Sequence, residues 1–315
     1  MKAFLIRRLF QTLITLFVVT LISFTLCMVL PGDPALALLG DQGATEEAIH
    51  HVRHELGLDQ PLYVQYFRWL GTIIRGDLGV SIRTQAHVLT LFAQRLPVTI
   101  ELLLLGLVFA LMVAIPIGII SSLRPNTWID TLGTVFAVSG VAMPQFFLAM
   151  VLILVFSIGL GWFPSSGYTS IGDGLILNLK GMVLPAISLG AVVAAEVTRQ
   201  LRSSMLEVLN EEYIQTARAK GLSEMIVILK HALRNALIPV VTLLGMRIGR
   251  LIGGLVIVEV VFSLPGFGRL LLNAVLFKDF PVLQTGILFV ALAVTIINLL
   301  ADLSYSVLDP RIRYS

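Results

Sequence analysis

The chain has little of what a soluble protein contains. Charged residues make up 13% of its 315 residues, whereas soluble domains average about 25%. Cysteine occurs once, at Cys27, so an intrachain disulfide is excluded. What is present instead is apolar: 57% of the residues are hydrophobic, and the mean hydropathy is +0.93. This composition predicts an integral membrane protein.

The sequence also lacks the residue patterns of several enzymes. No segment has the form G-x-x-x-x-G-K-[ST], the phosphate-binding loop of many nucleotide hydrolases. If ATP drives this protein, its hydrolysis must take place on another polypeptide, so we expect no enzyme activity and no cofactor in this chain. Ser139 and Ser165 have no membrane-embedded histidine to act as a base, which disfavours an intramembrane hydrolase.

A cluster of three histidines, His50, His51 and His54, suggests a metal site at first sight. An amphipathic surface helix explains these residues adequately, and neither a cysteine nor a second ligand cluster supports a metal. We therefore expect no metal site.

Six apolar stretches are long enough to cross the hydrocarbon core, which takes about 20 residues as a helix. They are 9–30, 98–122, 131–159, 183–204, 236–262 and 283–307. The first follows a basic segment, as in a signal peptide, but no clear small-residue cleavage site comes after it, so we expect a retained span. The sequence thus predicts an all-α membrane protein with six spans and both termini on one side.

Lysine and arginine indicate the orientation, because they accumulate on the cytoplasmic side. With cytoplasmic termini, the inner segments carry twelve of these residues and the two short outer loops carry three. The long segment 31–97 carries five more, but long loops translocate largely regardless of charge. We predict cytoplasmic termini in a multi-pass protein of the cell inner (plasma) membrane.

The predicted organisation has three parts. They are an N-terminal tail and first span (1–30), an extracytoplasmic helical segment (31–97) and a five-span core (98–315). In the middle part, Thr45 can cap a helix that Gly57 ends, and Pro61 can open another. We expect these helices to lie on the membrane as a small cap.

A polar and basic segment, 205–235, separates the fourth and fifth apolar stretches. Its residues 206–221 have helix-forming composition, and Gly221 can end that helix. Small side chains at Ala217 and Ala219 permit close approach by another surface. Composition alone leaves two alternatives open, a docking surface for a cytoplasmic partner and a solvated connecting loop.

Motifs along nearly the whole chain resemble one family. They read LPGDP at 30–34, LGLDQPLY at 56–63, GDLG at 76–79, VSG at 138–140, TARAKG at 216–221, KHALRNALIP at 230–239, PGFGR at 265–269 and DPRIRY at 309–314. In this order they resemble the permease subunit of ABC importers, in the branch that carries dipeptides, oligopeptides, glutathione and nickel. The resemblance implies the type I importer permease fold.

The inner loop of that family forms a coupling helix, which sits in a cleft on a separate ATPase subunit. The resemblance implies this role for Gln215, Thr216, Ala217, Arg218, Ala219, Lys220 and Gly221. The broader permease signature begins Glu-Ala-Ala, where this chain has Gln215-Thr216-Ala217. This departure concerns the individual contacts rather than the role.

The resemblance also implies partners and a mechanism. The partners are a homologous second permease subunit, two cytoplasmic ATPase subunits that hold ATP and Mg²⁺, and an extracytoplasmic substrate-binding protein. The mechanism is alternating access, with peptides or glutathione as the expected solutes and nickel complexes as an alternative. The segment 265–269 would face the binding protein.

Two arginines, Arg247 and Arg250, lie within the fifth apolar stretch. Charge at membrane depth usually faces a bundle interior or an aqueous cavity, and a spacing of three places both on one helix face. They either line the pathway and attract peptide carboxylates, or pair with buried acids. The candidate acids are Glu196, Glu259 and Asp302. Gly245, Gly249 and Gly253 form a stripe that suits close helix packing.

A self-sufficient secondary transporter, driven by protons or sodium, is the alternative to an importer permease. Such a protein would need acidic relays deep in its spans. The same three acids are the only candidates in this sequence.

Overall fold

Helices make up most of the computed structural model, which describes residues 2–29, 36, 39 and 45–308. Side chains are described for the same residues except 2–9, 27, 55–56, 248–250 and 300–308. The main helices are α1 (Lys2–Val29), α2 (Glu46–Leu56), α3 (Leu62–Ile74), α4 (Val88–Leu123), α5 (Trp128–Ala142), α6 (Gln145–Leu152), α7 (Leu175–Leu209), α8 (Glu212–Ala219), α9 (Leu233–Val261), α10 (Phe267–Leu276) and α11 (Phe280–Leu308). π-helical turns continue α6 over Ile153–Gly159 and precede α9 over Val227–Ala232. The predicted all-α class is confirmed for the residues that the structure describes.

Among residues with described side chains, four helical segments are long and apolar enough to cross a membrane, and a bent pair makes a fifth if it counts as one span. The four are Val88–Leu123, Leu175–Leu209, Glu224–Arg247 and Phe280–Leu299. They overlap the second, fourth, fifth and sixth predicted spans. The first predicted span coincides with α1, of which Phe10–Leu26 is the apolar part among residues with described side chains. Six spans and cytoplasmic termini stay predictions, as does the three-part division of the chain.

The predicted third span, 131–159, is broken rather than continuous. Its two halves, Trp128–Ala142 and Gln145–Gly159, are bent by 108° relative to each other. Met143 between them is extended, with φ −77° and ψ 127°, because the ring of Pro144 disfavours the helical conformation of the residue before it. The apolar stretch 131–159 is therefore a bent pair of helices, and its assignment as one span stays a prediction.

The described residues divide into two units, and the first is built from residues 1–97 and 267–299. In this unit α1 packs on α3: the hydroxyls of Thr20 and Tyr66 lie 2.8 Å apart, and the Phe24 ring meets the Tyr66 ring edge-on. The predicted caps are confirmed. Thr45 accepts a hydrogen bond from the Ala48 N–H at 3.3 Å, and Gly57 ends α2 with a φ of +67°.

The second unit, residues 98–266, is organised around α7, which packs against α5, α6 and α9. Its face contains Val193, Val197 and Leu201, all buried. At Gly190 the approach of α4 is so close that a Cβ atom would overlap the carbonyl oxygen of Gly106. α7 is therefore the element that holds this unit together.

Candidate coupling surface and charged groups of the spans

The predicted helix over 206–221 is two helices. α7 ends at Leu209, Glu211 is extended with φ −69° and ψ 145°, and α8 begins at Glu212. The last turn of α7 is closed by a hydrogen bond of 3.2 Å from the Asn210 N–H to the Glu207 carbonyl. Such a tightened turn satisfies groups that a helix end leaves without partners. The prediction of a single helix is wrong, and α8 is a separate short helix.

The short helix α8 has a buried face and an exposed face. Ile214 is fully buried and Ala217 is 7% exposed, and both belong to the core cluster that contains Met205, Val227 and Ala232. The exposed residues of the predicted coupling segment are Gln215, Thr216, Arg218, Ala219, Lys220 and Gly221. Ala217 therefore packs within this chain, so a coupling role for it would act through the core rather than by direct contact with a partner.

The end of α8 is fixed by Gly221, as predicted. Its φ is +78°, a conformation that glycine adopts without strain. The Gly221 N–H donates to the Arg218 carbonyl at 2.9 Å, and the Leu222 N–H donates to the Ala217 carbonyl at 3.4 Å. These two bonds form a Schellman motif. A Cβ at this glycine would meet open space, so the backbone conformation rather than crowding favours glycine here.

Exposed apolar side chains continue the surface beyond α8. They are Leu222, Met225, Ile226 and Leu229, and Met225 is 71% exposed. Arg218 lies within this patch and pairs with Glu224, with 2.8 Å between Nε and Oε1. We use the term coupling surface for the exposed residues of 215–221 together with these four apolar side chains. A contiguous patch of apolar and basic groups is typical of a surface that binds another protein.

Arg247 of α9 forms an ion pair with Glu196 of α7, with 3.1 Å between Nε and Oε2. The two side chains are 25% and 11% exposed. Glu196 was one of three acids proposed as partners from the sequence. The side chains of Arg250 and Asp302 lie outside the described residues, and a pathway role for either arginine stays a prediction.

A second ion pair, Asp130 with Arg202, was missed in the sequence analysis. The Arg202 Nε and Nη2 atoms donate to the two carboxylate oxygens of Asp130 at 2.5 and 2.6 Å, and the Asn126 N–H adds a bond of 3.0 Å. The Asp130 side chain is 6% exposed and that of Arg202 is 29% exposed. The pair ties the first turn of α5 to α7, close to the start of α8. The signal for this pair in the sequence is weak. It consists of an acid in the first turn of a helix, which the predicted spans place on the same side of the membrane as the arginine.

Two further carboxyl groups, those of Glu259 and Glu101, lie at the part of α4 that contains Thr99. Glu259 is fully buried and accepts a hydrogen bond of 2.6 Å from the Thr99 hydroxyl. A Cβ at Gly266 would overlap its carboxyl group, so the loop after α9 closes directly over Glu259. Glu101 accepts a hydrogen bond of 2.8 Å from the Tyr168 hydroxyl.

Burial, together with the hydrogen bond and negative charge of Glu101, raises the pKa of Tyr168 from 10.0 to about 12. Because the neutral phenol is the form that the fold stabilises, this contribution is complete below pH 10 and is lost as the pH rises through 12. We expect the difference in tyrosinate absorbance between wild type and Tyr168→Phe to show a midpoint near 12. A midpoint near 10, the ordinary value, would contradict this assignment.

The histidines of α2 do not gather into a ligand set. His54 Nε2 lies 3.9 Å from Asp59 Oδ2, and both side chains are exposed. Among residues with described side chains, no group of three or more His, Cys, Asp or Glu could hold a metal. That this chain binds no metal stays a prediction.

Comparison with known proteins matches the chain from end to end. The family described as "Binding-protein-dependent transport system inner membrane component" matches residues 114–314, and its N-terminal companion, described as "Binding-prot-dependent transport system membrane comp, N-term", matches residues 1–103. A peptide transport system permease protein of Brucella abortus (strain 2308) is 42% identical over 314 residues, and the glutathione transport system permease protein GsiC of Escherichia coli (strain K12) is 43% identical over 314 residues; each alignment covers 100% of both chains.

Among the solved structures that are similar to this chain is an inward-facing form of the MetNI methionine ABC transporter. The TM-score is 0.56 with 17% sequence identity, over 70% of this chain and 96% of that one. Such a likeness shows a shared fold. The family resemblance drawn from the motifs is confirmed by these matches.

Proposed function

Because the chain belongs to the family of binding-protein-dependent transport system inner membrane components, we propose that this multi-pass permease carries peptides, with dipeptides, oligopeptides or glutathione as the solutes. Relatives named for peptide transport and for glutathione transport, 42% and 43% identical over 314 residues, support this solute class. A permease in an ABC importer provides the membrane pathway and leaves ATP hydrolysis to other subunits.

The proposed assembly contains four further subunits or components. They are a homologous second permease subunit, two cytoplasmic ATPase subunits that hold ATP and Mg²⁺, and an extracytoplasmic substrate-binding protein. In the proposed topology α1 is the first of six spans, both termini are cytoplasmic, and the protein lies in the cell inner membrane. The excess of lysine and arginine in the inner segments supports this orientation.

The observation that carries the proposal is the two-faced helix α8. Its exposed face provides groups for an ATPase subunit, while Ile214 and Ala217 on the opposite face are packed into the core that α7 and α9 share. Force applied to the coupling surface would therefore reach the spans through close-packed side chains, which transmit displacement well. We propose that ATP binding moves α8 in this way and drives alternating access.

Ala219→Trp tests this role, because Ala219 is exposed on α8 and a large side chain there would obstruct an ATPase cleft. We expect the amount of ATPase that copurifies in mild detergent to fall about tenfold or more, since disruption of a hot spot at the centre of an interface costs about 2 kcal/mol or more. ATP-dependent uptake by reconstituted vesicles should fall in parallel.

Ile176→Trp is the matched control, since Ile176 is 83% exposed and lies at the opposite end of α7. At 1.5 Å per residue the two ends of this helix are about 50 Å apart. The control should keep its ATPase. Full retention of coupled transport by Ala219→Trp would contradict the coupling role. Absence of any ATPase from folded wild-type protein would instead favour a secondary transporter.

A further inference from the structure

Two opposite charges, those of Arg247 and Glu196, lie at mid-depth in the second unit. Arg247 is at the midpoint of α9, and Glu196 is within about 6 Å of the midpoint of α7, at 1.5 Å per residue. The Arg247 Nε lies 3.1 Å from the Glu196 Oε2. In the proposed topology both groups are far from either membrane surface. At such a depth a charged side chain is costly, and most of those found there pair with one another or face a water-filled cavity.

The pair is accessible from one side. The side chains of Arg247 and Glu196 are 25% and 11% exposed, whereas Ala194 and Leu201, on the opposite side of α7, are fully buried. A charge that faced lipid would be unstable, so the accessible side of the pair faces water or another protein surface.

Further polar groups continue this face of α7. Gln200 and Ser204 follow Glu196 at intervals of four residues, which places all three on one side of the helix. The Gln200 Nε2 donates to the Ser204 Oγ at 3.3 Å. A polar side on an otherwise apolar span is typical of a helix that lines a hydrophilic path.

The contact between Arg247 and Glu196 is simpler than that of the other ion pair in this unit. Asp130 accepts two hydrogen bonds from Arg202 and a third from the Asn126 N–H. For Arg247 and Glu196, the approach of Nε to Oε2 is the one polar contact among the side chains that the structure describes. The second carboxylate oxygen of Glu196 and the Nη groups of Arg247 can thus meet a ligand before the pair separates.

A solute with one ammonium and one carboxylate can replace both partners at once. Its carboxylate takes the place of Glu196 beside the guanidinium, and its ammonium takes the place of the guanidinium beside Glu196. No charge loses its partner in this exchange. A solute with a single charge would leave Arg247 or Glu196 uncompensated inside the membrane, which is strongly unfavourable. The pair therefore favours zwitterions.

We propose that Arg247 and Glu196 bind the charged ends of a small zwitterionic peptide as it passes through the permease, the carboxylate at Arg247 and the ammonium at Glu196. The guanidinium donates two parallel N–H groups to a carboxylate, and the Glu196 carboxylate accepts hydrogen bonds from the ammonium. Dipeptides carry both groups close together, and the glutamyl end of glutathione carries both on one carbon atom. This inference rests on the proposed function, in which peptides are the solutes.

The test compares three probes: alanylalanine, its N-acetyl form, which lacks the ammonium, and its amide, which lacks the carboxylate. Isothermal titration calorimetry measures binding of each probe to the detergent-purified complex of permeases and ATPases. The substrate-binding protein is omitted, so its own selectivity does not enter. We expect wild type to bind alanylalanine about tenfold more tightly than either modified form, since each modification removes one charge-assisted contact.

Each single variant should abolish one preference and keep the other. Glu196→Gln should remove the preference for alanylalanine over its N-acetyl form, and Arg247→Gln should remove the preference over its amide. Glu196→Gln combined with Arg247→Gln leaves no uncompensated ion, so it should assemble and should bind the three probes alike. Lys180→Gln is the matched control: it removes an exposed cation of α7 outside the pair and should keep both preferences.

Uptake of alanylalanine by vesicles that contain the complete transporter separates this inference from the proposed function. If wild type takes up alanylalanine, three results would each overturn the inference: equal or no binding of the probes by the wild-type complex, retention of both preferences by the double variant, or loss of both preferences in each single variant, which would make the pair a structural tie. If wild type takes up neither alanylalanine nor glutathione, the proposed function fails, and the inference fails with it.

Discussion

Gly190→Ala should destabilise the permease strongly, although it adds a single methyl group. The new Cβ would overlap the carbonyl oxygen of Gly106 and crowd the ring of Phe109. A backbone atom in a long helix cannot move aside as a side chain can, so α4 and α7 must separate. We expect a loss of about 2–3 kcal/mol in the free energy of unfolding, the upper part of the range for overpacked cores. Denaturant titration of the purified chain in detergent measures it.

Gly253→Ala is the matched control for this prediction. A Cβ at Gly253 has no neighbouring atom within 4 Å among the residues that the structure describes, and alanine favours a helix over glycine by about 1 kcal/mol. The control should unfold at the same denaturant concentration as wild type, or at a higher one. Indistinguishable unfolding of Gly190→Ala and Gly253→Ala would show that α4 and α7 do not approach each other as described.

Asp130→Ala should lower the free energy of unfolding by a similar amount, but for a different reason. It leaves the Arg202 guanidinium without the carboxylate that accepts two of its hydrogen bonds. Removal of one partner from a buried pair costs about 3–5 kcal/mol, and the lower value applies here because the Arg202 side chain is 29% exposed. The same unfolding measurement gives the result. Loss of ATP-dependent uptake should accompany it, since the pair holds α7 just before α8.

Two further variants isolate the cause. Asp130→Ala combined with Arg202→Leu removes both charges, and it should recover much of the lost stability because no uncompensated cation remains. Glu224→Ala breaks the exposed pair with Arg218, in which the glutamate is 61% exposed, and should change the free energy of unfolding by less than about 1 kcal/mol. Equal losses from Asp130→Ala and Glu224→Ala would contradict the importance given to burial.

Local chemistry in the sequence was enough to place the helices and several of their ends. Long apolar runs predict spans because apolar helices are stable in a bilayer wherever they occur in the chain. Thr45, Gly57 and Gly221 act on backbone groups only a few residues away. Hydropathy does not indicate the 108° bend, because both halves of the stretch 131–159 are apolar; the signal for it is Pro144. Hydropathy reports how apolar a segment is, and it carries no information about the direction in which the helix axis runs.

Which charged residues pair with each other could be predicted from the sequence only in part. Arg247 was expected to need either water or an acid because a charge in a span is costly, and the acid proved to be Glu196. Asp130 and Arg202 are 72 residues apart, and only the packing of α5 on α7 brings them together. Likewise, which of Ala217 and Ala219 is exposed depends on where α8 begins, and that start is set by the interruption at Glu211.

The break between α5 and α6 has a consequence for how the protein is made. Backbone groups at a break within the bilayer need partners, and lipid offers none. The Ser188 hydroxyl, 43 residues later in the chain, donates to the Gln145 carbonyl at the start of α6 at 3.4 Å, and the Gln145 side chain packs against Gly254 later still. When α5 and α6 leave the ribosome, these partners have not been synthesised. The contacts that hold the start of α6 can therefore form only after α7, and then α9, have been synthesised.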